Sequence, residues 1–556
     1  LGKARNMFIS NKQSDLSKWH CPLIIAGLCI AGISYFYGLD SIHIPGIGDE
    51  SPYIQITRLT AESGKCLPLL SDQGVLNTKP PLLFWQGMLS TNWGQCWHLW
   101  NLRIPVVLYS FLIAFTIGYL TGKITGSAFS GYMGGLIYLG FLSTIQQGRP
   151  FLVHAPETLF LFLPLVIIFN KERISFREAI FCGLSLGMAA LYKSFFLVFA
   201  GCFALSLVLL HRTGFRFRSC LRRYGLYLLL MLVIGIGMFL IWPLLDPHPD
   251  LVFSQFFLEE HGSKFDPGAF FKGLFAGNYT LFRIWLGNFA NGGLYFLIIL
   301  ALLIDLVMRR DVLTRAEKQL WIYILAFLII YSFPTQRQEN YILPTCAALS
   351  VLLALRWNGI PPVWFRISYG IAILMSAALL WLPLEVNRCA GDALFTRINY
   401  GAAIFLLSVS LFGLVKISHG RFLFPIVILG IFLTVSLFLR PFSQHFKPET
   451  CTLLKGQTVY FPSNFRASEE KYRFILPGAD IRSYPQNLQD KVIHQFPYCA
   501  MHLGFGETVP EGFTEVDRIY TLKSRHSNQE IRDMLFKRRY ELLIGRLVIV
   551  QNNQGG

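Results

Sequence analysis

The sequence predicts a polytopic α-helical membrane protein, and three observations carry that expectation. Apolar residues make up 53% of the 556-residue chain, against 15% charged ones, more than the core of a soluble domain requires. They are gathered into uncharged blocks, as at 106–120, 227–242 and 424–439, rather than spread as amphipathic stripes. In lipid such blocks must be helical, because no water is present to satisfy the backbone. Lys and Arg, finally, are concentrated in alternate loops, the pattern that orients membrane helices.

Hydropathy places about thirteen spans, near 22–38, 102–121, 127–145, 155–169, 177–192, 194–211, 224–244, 287–308, 319–334, 341–356, 363–384, 398–416 and 421–440. The first is followed by no small-residue cleavage site and reads as a retained helix. The basic loops are "KERISFR" (171–177), "HRTGFRFRSCLRR" (211–223), "MRRDVLTRAEK" (308–318) and "KISHGR" (416–421). They assign a cytoplasmic N-terminus, and an odd span number then puts the tail on the far side. The net charge of +17 is therefore topological, and no nucleic-acid partner is expected.

Residues 1–440 read as the membrane domain. Two far-side loops, 39–101 and 243–286, interrupt it, and the first contains interfacial helices in "SPYIQITRLTAES" and "PPLLFWQGMLSTNW". Residues 441–556 read as a small α/β domain, with strands at 457–462, 472–477 and 541–551 and a helix at 527–540. No internal repeat is visible, which disfavours a transporter of inverted halves. Of eleven cysteines, five lie outside the spans on the far side, where oxidation is possible, and Cys451 with Cys499 is the expected bridge. No spacing of Cys and His marks a zinc site.

The far-side segments carry the chemistry. "GDESPYIQITR" (48–58) holds the acidic pair Asp49 and Glu50. Lys79, Arg149, Lys193, Lys264 and Arg337 supply cations, with His154, His261 and Tyr341 among them. Several cations beside a carboxylate at a membrane surface suit transfer from a phospholipid-linked donor. The cations hold the departing phosphate and the carboxylate takes the acceptor's proton. Blander roles share these positions. Lys79 and Lys193 sit where lysines snorkel, Glu50 where a residue opens a helix, and Arg337 beside Glu339 as in a plain surface ion pair. His154 and Glu157 open a helix, where the dipole alone favours an acid.

In order along the chain stand "DESPY", "TKPPLLFW", "NLRIP", "RPFLVHAPETLF", "LYKSFF", "EEHGSKF" and "QENYILP". This series resembles the membrane glycosyltransferases of the aminoarabinose transferase and protein mannosyltransferase type, which share the GT-C fold and use polyprenyl-phosphate sugars. The resemblance covers most of 40–345. It implies a GT-C fold of about thirteen helices with a small periplasmic α/β C-terminal domain, in a bacterial inner membrane. It makes Asp49 the essential acid, a base or acceptor-orienting group. It makes Lys79 the lysine that contacts the donor phosphate, with Lys193, His261, Lys264, Arg337, Tyr341 and Tyr53 on the donor side.

Three positions depart from the family pattern. Thr78 stands where Glu often precedes the K-P-P motif, and Pro52 where Arg often precedes the Tyr. His154 stands where an Asp is usual, so that a second acid is either relocated to Glu157 or replaced by His154. The expected reaction is inverting transfer of a sugar from polyprenyl phosphate to a lipid, glycan or protein acceptor, with no organic cofactor. A divalent cation near Asp49 is compatible with the pattern, though no dedicated ligand set is visible. The competing readings are a lipid or lipid-sugar flippase and an inactive homologue that binds the lipid-linked sugar.

Overall fold

The computed structural model describes residues 21–44, 49–262, 270–271, 273–275, 277–308, 312–390, 394–463, 466–489, 493–523 and 526–553. Within them a helix occupies each segment that hydropathy marks, from Cys21–Phe36 to Ile417–Leu439. Among the described residues seven helices are long and apolar enough to cross a membrane, including Leu99–Thr125, Phe217–Leu245 and Pro362–Arg388. The chain is thus a multi-pass membrane protein, its outward faces lined by exposed apolar side chains such as Phe115, Phe181 and Leu374.

Small residues set the closest helix contacts. A Cβ on Gly131 would lie 2.4 Å from the carbonyl oxygen of Gly118. Only glycine therefore allows helices Leu99–Thr125 and Ala128–Leu139 to approach this closely. The two helices expected in the first far-side loop are present as Glu50–Glu62 and Leu82–Ser90, packed on each other. The hairpin β1 (Leu70–Ser71) and β2 (Gly74–Val75) joins them.

The C-terminal strands are β3 (Thr458–Ser463), β4 (Asp480–Pro485), β5 (Tyr498–Gly504), β6 (Phe513–Leu522) and β7 (Ile544–Asn552). They form one sheet in the order β4-β3-β5-β7-β6, parallel at β3/β4 and β3/β5 and antiparallel elsewhere. Along β5 and β7 both faces are buried, as expected of a sheet covered on both sides. One face, with Ala500, Leu547 and Ile549, joins an apolar cluster that continues through Leu83, Leu102 and Phe151 of the helical part. The sheet therefore docks on one end of the helices. Arg58 to Glu470 at 2.6 Å and the stacked rings of Trp97 and Phe474 at 6.0 Å reinforce the contact.

Two expectations for the tail need correction. The segment 472–477 is no strand: Ser468–Phe474 is a 3₁₀ turn. Tyr472, Ile475 and Leu476 reach the core together, an i, i+3, i+4 spacing that suits a helical turn and not an alternating strand. Strands β4 and β6 escaped the sequence reading because polar residues interrupt their apolar alternation, and β5 because it is buried on both faces and does not alternate. Cys451 and Cys499 are both free thiols. Cys499 packs in the cluster on the outer face of the sheet and Cys451 against the cluster on the helix-facing side, so the sheet separates them.

The docking surface is expected to be pH-sensitive. Burial, with the Lys471 ammonium nearby, pushes the His502 imidazole down to about 4. Burial with Lys471, His502 and Arg103 pushes His43 down to about 3. Both are held neutral in the folded protein and take up protons near 6.5 when unfolded. Stability attributable to them is intact above that value and is lost as pH falls, toward 4 for His502 and toward 3 for His43. Thermal unfolding should therefore drop between pH 6.5 and 4, with a shallower drop in His502→Asn. Equal slopes in the two proteins would remove His502 from this role.

Candidate active site

Helix Glu50–Glu62 begins where the acidic pair stands. Adjacent residues at a helix start diverge by about 100°, so the two carboxylates go different ways. Asp49 is exposed, makes no side-chain capping bond and lines a cavity. Glu50 is buried, 2.6 Å from the Arg103 guanidinium. Tyr53, one turn on, also lines the cavity and packs edge-on against Phe84 at 5.8 Å. Burial and the nearby Asp49 carboxylate push its hydroxyl well above the usual tyrosine range, leaving Tyr53 a neutral hydrogen-bond donor.

Lys79 precedes Pro80 and Pro81, and a residue before proline is held extended. Its ammonium lies 3.1 Å from Glu260, and both line the cavity. Helix Leu82–Ser90 follows directly. A Cβ at Gly87 would meet Phe151 at 2.7 Å and Thr57 at 2.8 Å, so glycine there lets this helix seat against the segment that leads into His154.

His154 opens helix His154–Asn170, with Glu157 in its first turn on the same face. Glu157 is fully buried behind the cavity wall and lies 2.8 Å from Lys193 and 3.4 Å from His154. Lys193 is the first residue past helix Phe176–Tyr192. Its ammonium lies 5.0 Å from the centre of the Tyr341 ring, a cation–π contact that holds both groups at the cavity. Tyr341 sits in the 3₁₀ turn Glu339–Ile342.

Asp49, Tyr53, Lys79, His154, Lys193 and Tyr341 thus surround one cavity of about 290 Å³, although nearly three hundred residues separate the first from the last. The cavity lies at the end of the helices on which the C-terminal sheet docks, since Val153 and Tyr192 belong to both its wall and the docking cluster. Its two lysines face two carboxylates, Asp49 and Glu260, and neutral amides close another side through Gln336, Gln338 and Asn340.

Other expected site residues fall elsewhere. Arg337 is completely buried and does not line the cavity. It donates to the carbonyls of Ser332, Gly273 and Tyr279 at 2.9–3.3 Å and lies over the Phe270 ring. Its fork spans three backbone segments, so it holds the loop that carries Gln336 and Gln338. Glu339, its expected surface partner, lies by Arg283 instead, at 3.6 Å. Arg149 likewise serves the fold, donating to Ser436 and to the Tyr37 carbonyl. Lys264 lies outside the described residues, and the His261 side chain does as well.

Sequence reasoning did not single out Tyr192, Glu260 or the amides Gln336, Gln338 and Asn340 as cavity residues. Each sits within two residues of a position it did single out, and that adjacency was the available signal. Among the described residues no group of three or more His, Cys, Asp or Glu side chains is placed to hold a metal ion.

No protein-family model and no curated protein matches the chain by sequence. Solved structures do match it. ArnT from Cupriavidus metallidurans bound to undecaprenyl phosphate superposes with a TM-score of 0.61 at 14% identity, covering 94% of this chain and 97% of that one. The apo state of the same protein gives a TM-score of 0.58 at 16% identity, covering 97% of this chain and 99% of that one. Over 94% of its length this chain has the ArnT-like GT-C fold.

Proposed function

We propose that the protein is an inverting glycosyltransferase of a bacterial inner membrane. It would move a sugar from a polyprenyl-phosphate donor to a lipid, glycan or protein acceptor at the periplasmic face. The observation that supports this best is the convergence of Lys79 and Lys193 with the exposed Asp49 on one cavity, within a fold shared with ArnT. Phosphate is anionic throughout the reaction and gains charge as its bond to the sugar breaks, so preorganised cations lower the barrier. In the proposed step an acceptor oxygen attacks the anomeric carbon from the side opposite the phosphate. The anomeric C–O bond breaks, its electron pair leaves with polyprenyl phosphate, and the acceptor's proton passes to Asp49. Lys79 and Lys193 hold the phosphate, and Tyr53 and Tyr341 offer neutral contacts.

Glu157 is proposed as the charge that keeps Lys193 and His154 in place. It touches both from behind the wall and does not line the cavity. Of Glu157 and His154, it is His154 that lines the cavity and can reach a substrate.

Purified protein in bilayer discs, incubated with radiolabelled polyprenyl-phosphate sugar and cell-envelope acceptors, tests the reading. Label should pass to an acceptor while free polyprenyl phosphate accumulates. Donor binding without transfer would mark an inactive lipid-sugar binder. Movement of lipid-linked sugar across vesicle membranes without transfer would mark a flippase.

A further inference from the structure

The ion pair beside Asp49 does more than open a helix. Glu50 and Arg103 are 5% and 0% exposed, and a buried ion pair is not by itself a source of stability. What this one joins is unusual in extent. Arg103 Nε and Nη2 donate to the two oxygens of Glu50 at 2.7 and 2.6 Å. Its Nη1 donates to the carbonyls of Leu39, Ser41 and Ile44 at 3.1, 2.7 and 3.3 Å. Glu50 Oε1 in turn accepts the backbone N–H of Phe151 at 2.7 Å. One buried pair therefore ties together the turn after the first helix, the start of helix Glu50–Glu62, helix Leu99–Thr125 and the segment that enters His154.

Asp49 is the chain neighbour of Glu50, and His154 stands three residues from Phe151. The pair thus sets where the acid at one side of the cavity lies relative to the wall that carries His154. We propose that Glu50 and Arg103 are positioning residues for the transfer step. Neither lines the cavity, and both act by fixing Asp49 against the segment that carries His154. This rests on the glycosyl-transfer reading above, and it gives Glu50 a larger part than the helix-opening role its place in the sequence implied. Lys79 and Lys193 are held by other contacts, so the effect falls on the reacting geometry and not on donor affinity. Displacing a reacting group by about 1 Å can cost up to about a hundredfold in rate.

Two variants keep the test independent of folding. Glu50→Asp retains both charges but withdraws the carboxylate by one methylene. The double variant Glu50→Gln with Arg103→Met removes both charges together, so no uncompensated charge stays buried. For each, the melting temperature, the dissociation constant for polyprenyl phosphate and the single-turnover transfer rate are measured. Both should bind polyprenyl phosphate within a few-fold of the wild type and transfer about ten- to a hundredfold more slowly, even where the melting temperature is preserved. Wild-type transfer in a variant of wild-type stability would overturn the proposal, as would a loss of donor affinity in step with the rate. A wild-type protein that binds donor and never transfers sinks the transfer reading separately. The pair is then judged by hydrogen exchange over residues 49–54, where unchanged protection in both variants overturns it.

Discussion

Asp49→Asn is expected to lower single-turnover transfer by about 10²–10⁴-fold, the range for a lost general base, while polyprenyl phosphate binds nearly as well as to the wild type. The substitution keeps the side chain's shape and removes only its charge. Asp49 is exposed at the cavity and caps no helix through its side chain. Folding should therefore be unaffected, and the loss should appear in the chemical step. A hydroxyl acceptor requires proton removal and would show the full effect. A phosphate acceptor is already ionised, and Asp49 would then orient it, with a smaller loss. Donor affinity and single-turnover rate, measured together, check this. A mild effect on rate would return Asp49 to the role of an ordinary solvated turn.

Lys79→Ala should be nearly as damaging, by about 10²–10³-fold in turnover, the usual consequence of removing one preorganised group that stabilises developing charge. Its side chain is 37% exposed and, among the described residues, pairs with Glu260 at the cavity, so the protein should still fold. Polyprenyl-phosphate affinity should fall together with the rate, since the phosphate is anionic in both bound donor and product. This separates Lys79 from Asp49, whose loss spares binding. Lys79→Arg should rescue only in part, because a planar fork does not reproduce the compact charge of an ammonium. Unchanged turnover in Lys79→Ala would leave Lys79 an interface anchor.

Much of the candidate site was legible before any coordinates. Lys79 stands out because two prolines follow it, and Lys193 because it directly follows a long apolar run. Tyr341 and Tyr53 lie in short motifs at the ends of apolar helices. What was not legible is how each charge is occupied. Arg337 and Lys193 look alike along the chain, each a cation at the end of an apolar block. Arg337 is consumed by three backbone carbonyls, while Lys193 reaches the cavity beside Glu157 and the Tyr341 ring. Such a difference depends on which carbonyls approach in space, which local composition does not encode.

By itself the sequence determined the membrane class, the succession of helices and which polar segments gather at one end of them. These follow from hydropathy and charge, which are summed along contiguous residues and need no knowledge of distant partners. The tertiary structure alone decided which partner buries Glu50, the separation of Cys451 from Cys499 and the order of the terminal sheet. Each depends on a meeting of residues far apart in the chain. Glu50 is buried because Arg103, 53 residues later, comes within hydrogen-bonding distance of it. Asp49 stays exposed because no described residue does the same for it.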